Sequence, residues 1–208
     1  MKTIISLAIG YLLGSLNPAE LIANIKKQDL RKQGTGNLGA SNTMLVFGKA
    51  LGALVMLFDI AKAYVSYKLA LRLFPQARLA GLAAGLGAVT GHVYPFYLNF
   101  KGGKGLAAFG GMVLAYDPWI FLVLLIFGII LMIIFNYSAV LPMSAGILFP
   151  LLAAIRSKEL GVFLLALAAS VLIMVKHASN VAKGRSGKDI DIRRFIRENI
   201  FHKSHSKL

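Results

Sequence analysis

Apolar positions along this chain fall in long blocks rather than in alternation. The blocks are Ile4–Ile25, Leu51–Phe74, Leu79–Tyr97, Trp119–Phe135, Ala139–Ile155 and Leu160–Val175. A helix of roughly 17–25 apolar residues crosses the hydrocarbon core of a bilayer, so these blocks predict membrane spans. Without a period of two, an outer-membrane barrel is excluded. Gly105–Tyr116 is also apolar but short, and predicts a short or partly inserted helix. Turns are expected at Pro75–Arg78, Asp117-Pro118, Asn136–Ser138 and Arg156–Glu159. Pro18 predicts a kink in the first span, and Pro142 and Pro150 predict bends in the sixth element. The first block is too long for a signal-peptide core and carries no A-x-A site, so it reads as a true span. The expected organisation is one helical membrane domain over 1–181 and a basic tail over 182–208. The tail would hold a short amphipathic helix around Ile190–Phe201, lying on the membrane.

Composition agrees with this reading. Of 208 residues, 57% are hydrophobic and 15% charged, and the mean hydropathy is +0.71; a soluble domain carries about a quarter charged residues. The fold class is therefore an all-α polytopic membrane protein. The net charge of +15 would suggest nucleic acid in a soluble chain. Here the cations cluster in loops suited to anionic headgroups, and no aromatic–basic interleaving marks a nucleic-acid binder. Counting Gly105–Tyr116 gives about seven transmembrane helices, and sixteen of the 23 lysines and arginines then share one side with both glycine-rich loops and the tail. The positive-inside rule makes that side cytoplasmic, with the N-terminus outside and the C-terminus cytoplasmic. Cysteine is absent, which removes disulfide and thiol chemistry. No internal repeat supports an inverted-repeat transporter.

Candidate chemistry sits in two glycine-rich stretches. In Gly91–Gly105, GHVYPFYLNFKGGKG, the pair Gly102-Gly103 frees the backbone to turn, and Lys101 and Lys104 flank it with positive charge. Convergent amides and ammonium groups suit an anion, most often phosphate, although a plain interfacial turn with snorkelling lysines fits the spacing equally. Gly34–Lys49, GTGNLGASNTMLVFGK, offers Asn37, Ser41, Asn42 and Thr43 as hydrogen-bonding side chains. Its G-x-G-x-x-G follows a membrane helix and a charged loop, so a dinucleotide fold is rejected. Asp59 and Lys62, three residues apart within a span, read as an internal ion pair, and His92 as a hydrogen-bonded structural residue. His177, Asn180 and Lys183 recur every three residues past the last span and share roughly one helix face. His202 and His205 read as part of a mobile tail rather than a metal site. Neither H-x-x-x-x-D nor G-x-S-x-G occurs, and no paired carboxylates lie near a loop. The chain offers places for phosphates rather than a strong base or an activated nucleophile.

These residues resemble the bacterial acyl-phosphate:glycerol-3-phosphate acyltransferases, seven-helix membrane enzymes with three cytoplasmic motifs. Gly34–Lys49 is similar to the family's GSGNxGATNxxRxxGK, Asp59 and Lys62 to its D-x-x-K, Gly91–Gly105 to GHxxPxxxxFKGGKG, and His177-x-x-Asn180 to its HxxN. The resemblance spans Tyr11 to about Asp189. The family's loop serine is Thr35 here, its loop arginine falls at Leu45, the arginine after HxxN is Lys183, and a later glutamate is Asp189.

The resemblance implies transfer of a fatty acyl group from acyl phosphate to the 1-hydroxyl of sn-glycerol 3-phosphate, without cofactor or metal. The products are lysophosphatidic acid and inorganic phosphate. It implies Asn37, Gly39, Ser41, Asn42, Gly102 and Gly103 at the acyl phosphate, and Thr35, Lys104, His177, Asn180 and Lys183 at glycerol 3-phosphate. Thr35, His177 and Lys104 would carry catalysis, and Asp59, Lys62 and His92 would be structural. Location in the bacterial inner membrane is implied, with the enzyme that makes acyl phosphate as a partner. Two readings stand beside this one: a paralogue that binds phosphorylated lipid or metabolite without turnover, favoured by Leu45, and an anionic-metabolite transporter, disfavoured by the short outer loops.

Overall fold

The computed structural model describes residues 1–185 and 192–193, and all regular structure among them is helical. The α-helices are α1 (Lys2–Ser15), α2 (Pro18–Ile25), α3 (Ala40–Phe47), α4 (Lys49–Leu73), α5 (Ala80–Val93), α6 (Leu106–Tyr116), α7 (Pro118–Phe135), α8 (Val140–Ser157) and α9 (Leu160–Arg185). Among the described residues, five stretches are long and apolar enough to cross a membrane: Lys2–Ile25, Lys49–Leu73, Pro118–Phe135, Val140–Ser157 and Leu160–Ala182. Helices α5 and α6, of 14 and 11 residues, are shorter.

Several boundaries differ from expectation for local reasons. The first span is interrupted, not merely kinked: Asn17 caps α2 by accepting from Glu20 N–H at 3.0 Å, and Pro18 takes the first helical position, where a missing N–H costs nothing. The third block was expected to run to Tyr97, yet α5 stops at Val93, before Tyr94 and Pro95. The stretch Gly34–Lys49 was expected to be a loop, yet it contains α3, bracketed by Gly39 and Gly48. The last block was expected to end at Val175, yet α9 runs on to Arg185, because a change from apolar to polar residues does not itself end a helix. The amphipathic helix expected around Ile190–Phe201 lies outside the described residues apart from Ile192 and Arg193, as do Asp189, His202 and His205.

Helix α5 is the centre of the bundle. Eight of its 14 residues are alanine or glycine, and it is buried along nearly its whole length. Small side chains let α1, α4, α6 and α9 approach it together. The closest approach is to α1, where Gly10 and Gly14 face the backbone of Ala84 and Ala88, and Gly87 and Gly91 face that of Leu7 and Tyr11. Both helices thus use a G-x-x-x-G spacing. A Cβ at Gly87 would land on the Leu7 carbonyl. Gly87→Ala is expected to cost about 1–3 kcal/mol by overpacking, read as a lowered thermal midpoint in detergent. Gly110→Ala is the control, since a Cβ there meets nothing nearer than Phe121 at 3.5 Å. On the opposite flank, Phe109 meets Phe149 edge-on at 5.4 Å, and Met112 and Ile173 complete the apolar core between α6, α8 and α9. Helix α7 buries only Leu124 and Gly128, rests Ile120 and Phe121 on the core, and leaves most of its other apolar residues exposed, as a lipid-facing helix does.

Candidate functional site

The long-range contacts of the glycine loops begin with the turn after α5. Gly102 and Gly103 donate their N–H groups to Val93 O and His92 O, each at 3.1 Å, folding the chain back on the end of α5. These amides are therefore engaged by backbone in this structure, and what the pair provides is close approach. A side chain at Gly103 would collide with His92 Nε2 and with the carbonyl of Leu38 in the first loop. The two glycine-rich stretches thus meet at Leu38 and Gly103.

The first loop is shaped from within. Gly34 and Gly36 adopt φ of 57° and 73°, a region that favours glycine. Asn42 is fully buried in the first turn of α3. Its Oδ1 accepts from Thr35 N–H at 2.6 Å, and its Nδ2 donates to Leu30 O and Gln33 O at 3.0 and 3.1 Å. Asn42, expected at the acyl phosphate, has both donors occupied by its own loop, so it appears here as the clasp of the loop. Thr35 and Ser41 are exposed, and Asn37 is half-buried beside Gly39. Gly39 has no side chain with which to cap α3, and the left-handed Gly105 likewise leaves α6 without a side-chain cap. Two uncapped helix N-termini therefore start close to the Leu38–Gly103 contact, and such termini favour anions.

The third element is α9. Lys104 Nζ donates to Asn180 Oδ1, tying the lysine–glycine turn to this helix. One turn earlier, His177 is buried, and its Nδ1 donates to Ile173 O at 2.8 Å. A carbonyl can only accept, so the neutral ring keeps its lone pair on Nε2. Lys183 continues along α9, its side chain outside the described part.

Beneath the turn lies a buried charge cluster. Asp59 Oδ1 is 2.7 Å from Lys62 Nζ and 3.1 Å from His92 Nδ1, and all three residues are at most 6% exposed. Lys62 Nζ also lies 3.1 Å from His92 Nδ1 and donates to Leu16 O at 2.6 Å. Residues three apart on α4 thus neutralise each other and seat His92 under Gly103.

A scan against protein families matches glycerol-3-phosphate acyltransferase over residues 4–187. The chain belongs to the glycerol-3-phosphate acyltransferase family. Among relatives in this family, the glycerol-3-phosphate acyltransferase of Staphylococcus aureus (strain Newman) is 31% identical over 201 residues, 93% of this chain and 99% of that protein. That of Macrococcus caseolyticus is 33% identical over 196 residues, 91% and 96% of the two chains. The crystal structure of PlsY, an integral membrane glycerol 3-phosphate acyltransferase, in its glycerol 3-phosphate form superposes with a TM-score of 0.84 at 30% identity, covering 92% of this chain and 96% of that one. Its lysophosphatidic acid form gives 0.81 at 29% identity, covering 92% and 95%. The chain is accordingly a membrane protein of the PlsY fold and an acyltransferase.

Within this acyltransferase, three contributors to the site were not found by sequence reasoning. Asn17 reaches from the break in the first span to Leu38 O, through Nδ2 at 3.4 Å. Tyr97 OH accepts from Asn17 N–H at 3.1 Å and donates to Ser15 O at 2.9 Å. Burial pushes the Tyr97 phenol above its ordinary range, against the hydrogen bond from Asn17 and with the nearby Glu20 adding to the rise, so it stays a donor. Tyr137, in the turn before α8, donates to Asn180 O at 3.0 Å. Asn17 was legible as a helix cap, since an asparagine directly before a proline is a start signal. Nothing in the sequence tells what Tyr97 or Tyr137 reaches.

Proposed function

We propose that this protein moves a fatty acyl group from acyl phosphate to the 1-hydroxyl of sn-glycerol 3-phosphate. The observation that carries this reading is the meeting of two phosphate-suited loops with Lys104, His177 and Asn180 at one place. Two phosphates have to be held side by side for this reaction. The mixed anhydride already contains a good leaving group, so positioning and charge stabilisation suffice without a strong base.

In this assignment the first loop, with Asn37, Gly39 and Ser41, and the close-approaching Gly102 and Gly103 hold the acyl phosphate. Asn42 keeps that loop in shape. Lys104, Asn180 and Lys183 hold glycerol 3-phosphate, and Thr35 orients its 1-hydroxyl. The hydroxyl oxygen attacks the acyl carbonyl, its proton passes to His177 Nε2, the carbonyl–phosphate bond breaks, and inorganic phosphate departs. The acyl chain lies in lipid or between helices. The seven-element count with the N-terminus outside and the glycine-rich loops cytoplasmic belongs to the same proposal, supported by the distribution of cations. So does residence in the bacterial inner membrane beside the enzyme that supplies acyl phosphate.

Leu45, where the family has arginine, is 57% exposed on α3. In mild detergent, palmitoyl phosphate with glycerol 3-phosphate is expected to release phosphate and form lysophosphatidic acid, whereas acyl-CoA or acyl-carrier-protein donors give none. A folded sample that forms no lysophosphatidic acid overturns the proposal. Leu45→Arg is expected to raise kcat/KM for glycerol 3-phosphate about tenfold or more, since a charge-assisted hydrogen bond contributes about 1.5–3 kcal/mol. No gain would place the compensating cation elsewhere.

A further inference from the structure

The break in the first span, Leu16–Asn17, is gripped from several directions. An interrupted span exposes carbonyls that lipid cannot satisfy. Here Ser15 O accepts from Tyr97 OH and Leu16 O from Lys62 Nζ. Two more bonds are made at Asn17, one of which satisfies its buried N–H. Asn17 already caps α2 through Oδ1, a task serine would perform equally. Its Nδ2 nevertheless donates to Leu38 O, the carbonyl against which Gly103 packs. Its N–H also donates to Tyr97 OH, four residues before Lys101 and the lysine–glycine turn. The break therefore holds the first loop through Asn17 Nδ2 and the second through Tyr97. Lys62, Asp59 and His92 make a second, independent link from the break to Gly103.

We infer that the break in the first span is a spacer that fixes the separation of the two loops, and that Asn17 and Tyr97 are positioning residues for acyl transfer. The inference rests on the acyl-transfer reading above. When the loops hold their two phosphates at the right separation, the glycerol hydroxyl reaches the acyl carbonyl. When the separation loosens, water attacks the same carbonyl, and acyl phosphate plus water gives fatty acid plus inorganic phosphate. The signature of a lost spacer is uncoupling, with phosphate released and no lysophosphatidic acid made.

Tyr97→Phe removes both hydrogen bonds and keeps the half-exposed ring. Asn17→Ser keeps the cap of α2 and removes the reach to Leu38. Each variant is assayed with palmitoyl phosphate and glycerol 3-phosphate, measuring lysophosphatidic acid and phosphate together. The wild type is expected to make about one lysophosphatidic acid per phosphate. Both variants are expected to fall to roughly half or less, with kcat for transfer down about tenfold and each KM within about twofold, because a misplacement of about 1 Å costs up to a hundredfold. If both variants keep the wild-type ratio, whether or not their thermal midpoint drops, the spacer role is overturned and only packing remains. If the wild type itself makes no lysophosphatidic acid, the acyl-transfer reading fails, and the inference with it. The two failures are thus told apart by the wild-type measurement alone.

Discussion

Lys104→Ala is expected to lower acyl transfer about 10²–10³-fold, the range lost when a preorganised electrostatic donor is removed from a reacting centre. Lys104 is the side chain that joins the second glycine loop to α9 by its bond to Asn180, and its ammonium sits where two phosphates are proposed to meet. It is only half-buried, and the backbone bonds of Gly102 and Gly103 fold the turn onto the end of α5 without its side chain. The variant should therefore elute and unfold like the wild type. Phosphate release and lysophosphatidic acid formation, set beside the thermal midpoint, check both halves. Full activity in a folded variant would remove Lys104 from the site.

The largest effect on stability is expected at Asp59. Its carboxylate lies between the Lys62 ammonium and the His92 ring, at 2.7 and 3.1 Å, with the surroundings closed to water. Asp59→Ala leaves the ammonium buried without its counter-charge, and breaking a buried pair in this way costs about 3–5 kcal/mol. Removing both charges, as Asp59→Leu with Lys62→Met, should recover much of that loss, since an apolar replacement carries no desolvation penalty. Thermal unfolding in detergent compares the single and double variants. A double variant no more stable than the single one would show that the carbonyl of Leu16, which Lys62 satisfies, matters more than the charge.

The spans were legible because a bilayer demands long apolar stretches, and the blocks near residues 51–74, 119–135 and 139–155 lie close to α4, α7 and α8. The ion pair was legible for the same reason: two charges three residues apart inside a span have to face each other. What escaped the sequence depends on contacts between distant segments. The G-x-x-x-G spacing of Gly10 and Gly14, and of Gly87 and Gly91, marks two close-packing helix faces, but not which helix each one meets. The resemblance puts Asn42 at the acyl phosphate, whereas its burial, which only the folded loop provides, engages its amide within that loop. His177 and Asn180 were placed on one helix face by their spacing, and the contact with Lys104 adds the partner that spacing alone lacked.

The unequal lengths of neighbouring helices decide how deep the chemistry lies. Helices α4 and α5 share the turn at Phe74–Leu79, and α4 is 25 residues long against 14 for α5. Their far ends therefore differ by about 16 Å at 1.5 Å per residue. The pairing of His92, near the end of α5, with Asp59, ten residues into α4, marks the same offset. The lysine–glycine turn, which follows α5, thus starts about ten residues of α4 short of that helix's far end. In the proposed reaction, a site recessed in this way admits a donor sideways from the leaflet, its chain in lipid, and glycerol 3-phosphate from the water. On the same proposal, transfer is expected to vary with bilayer thickness, which vesicles of shorter- and longer-chain lipids would measure.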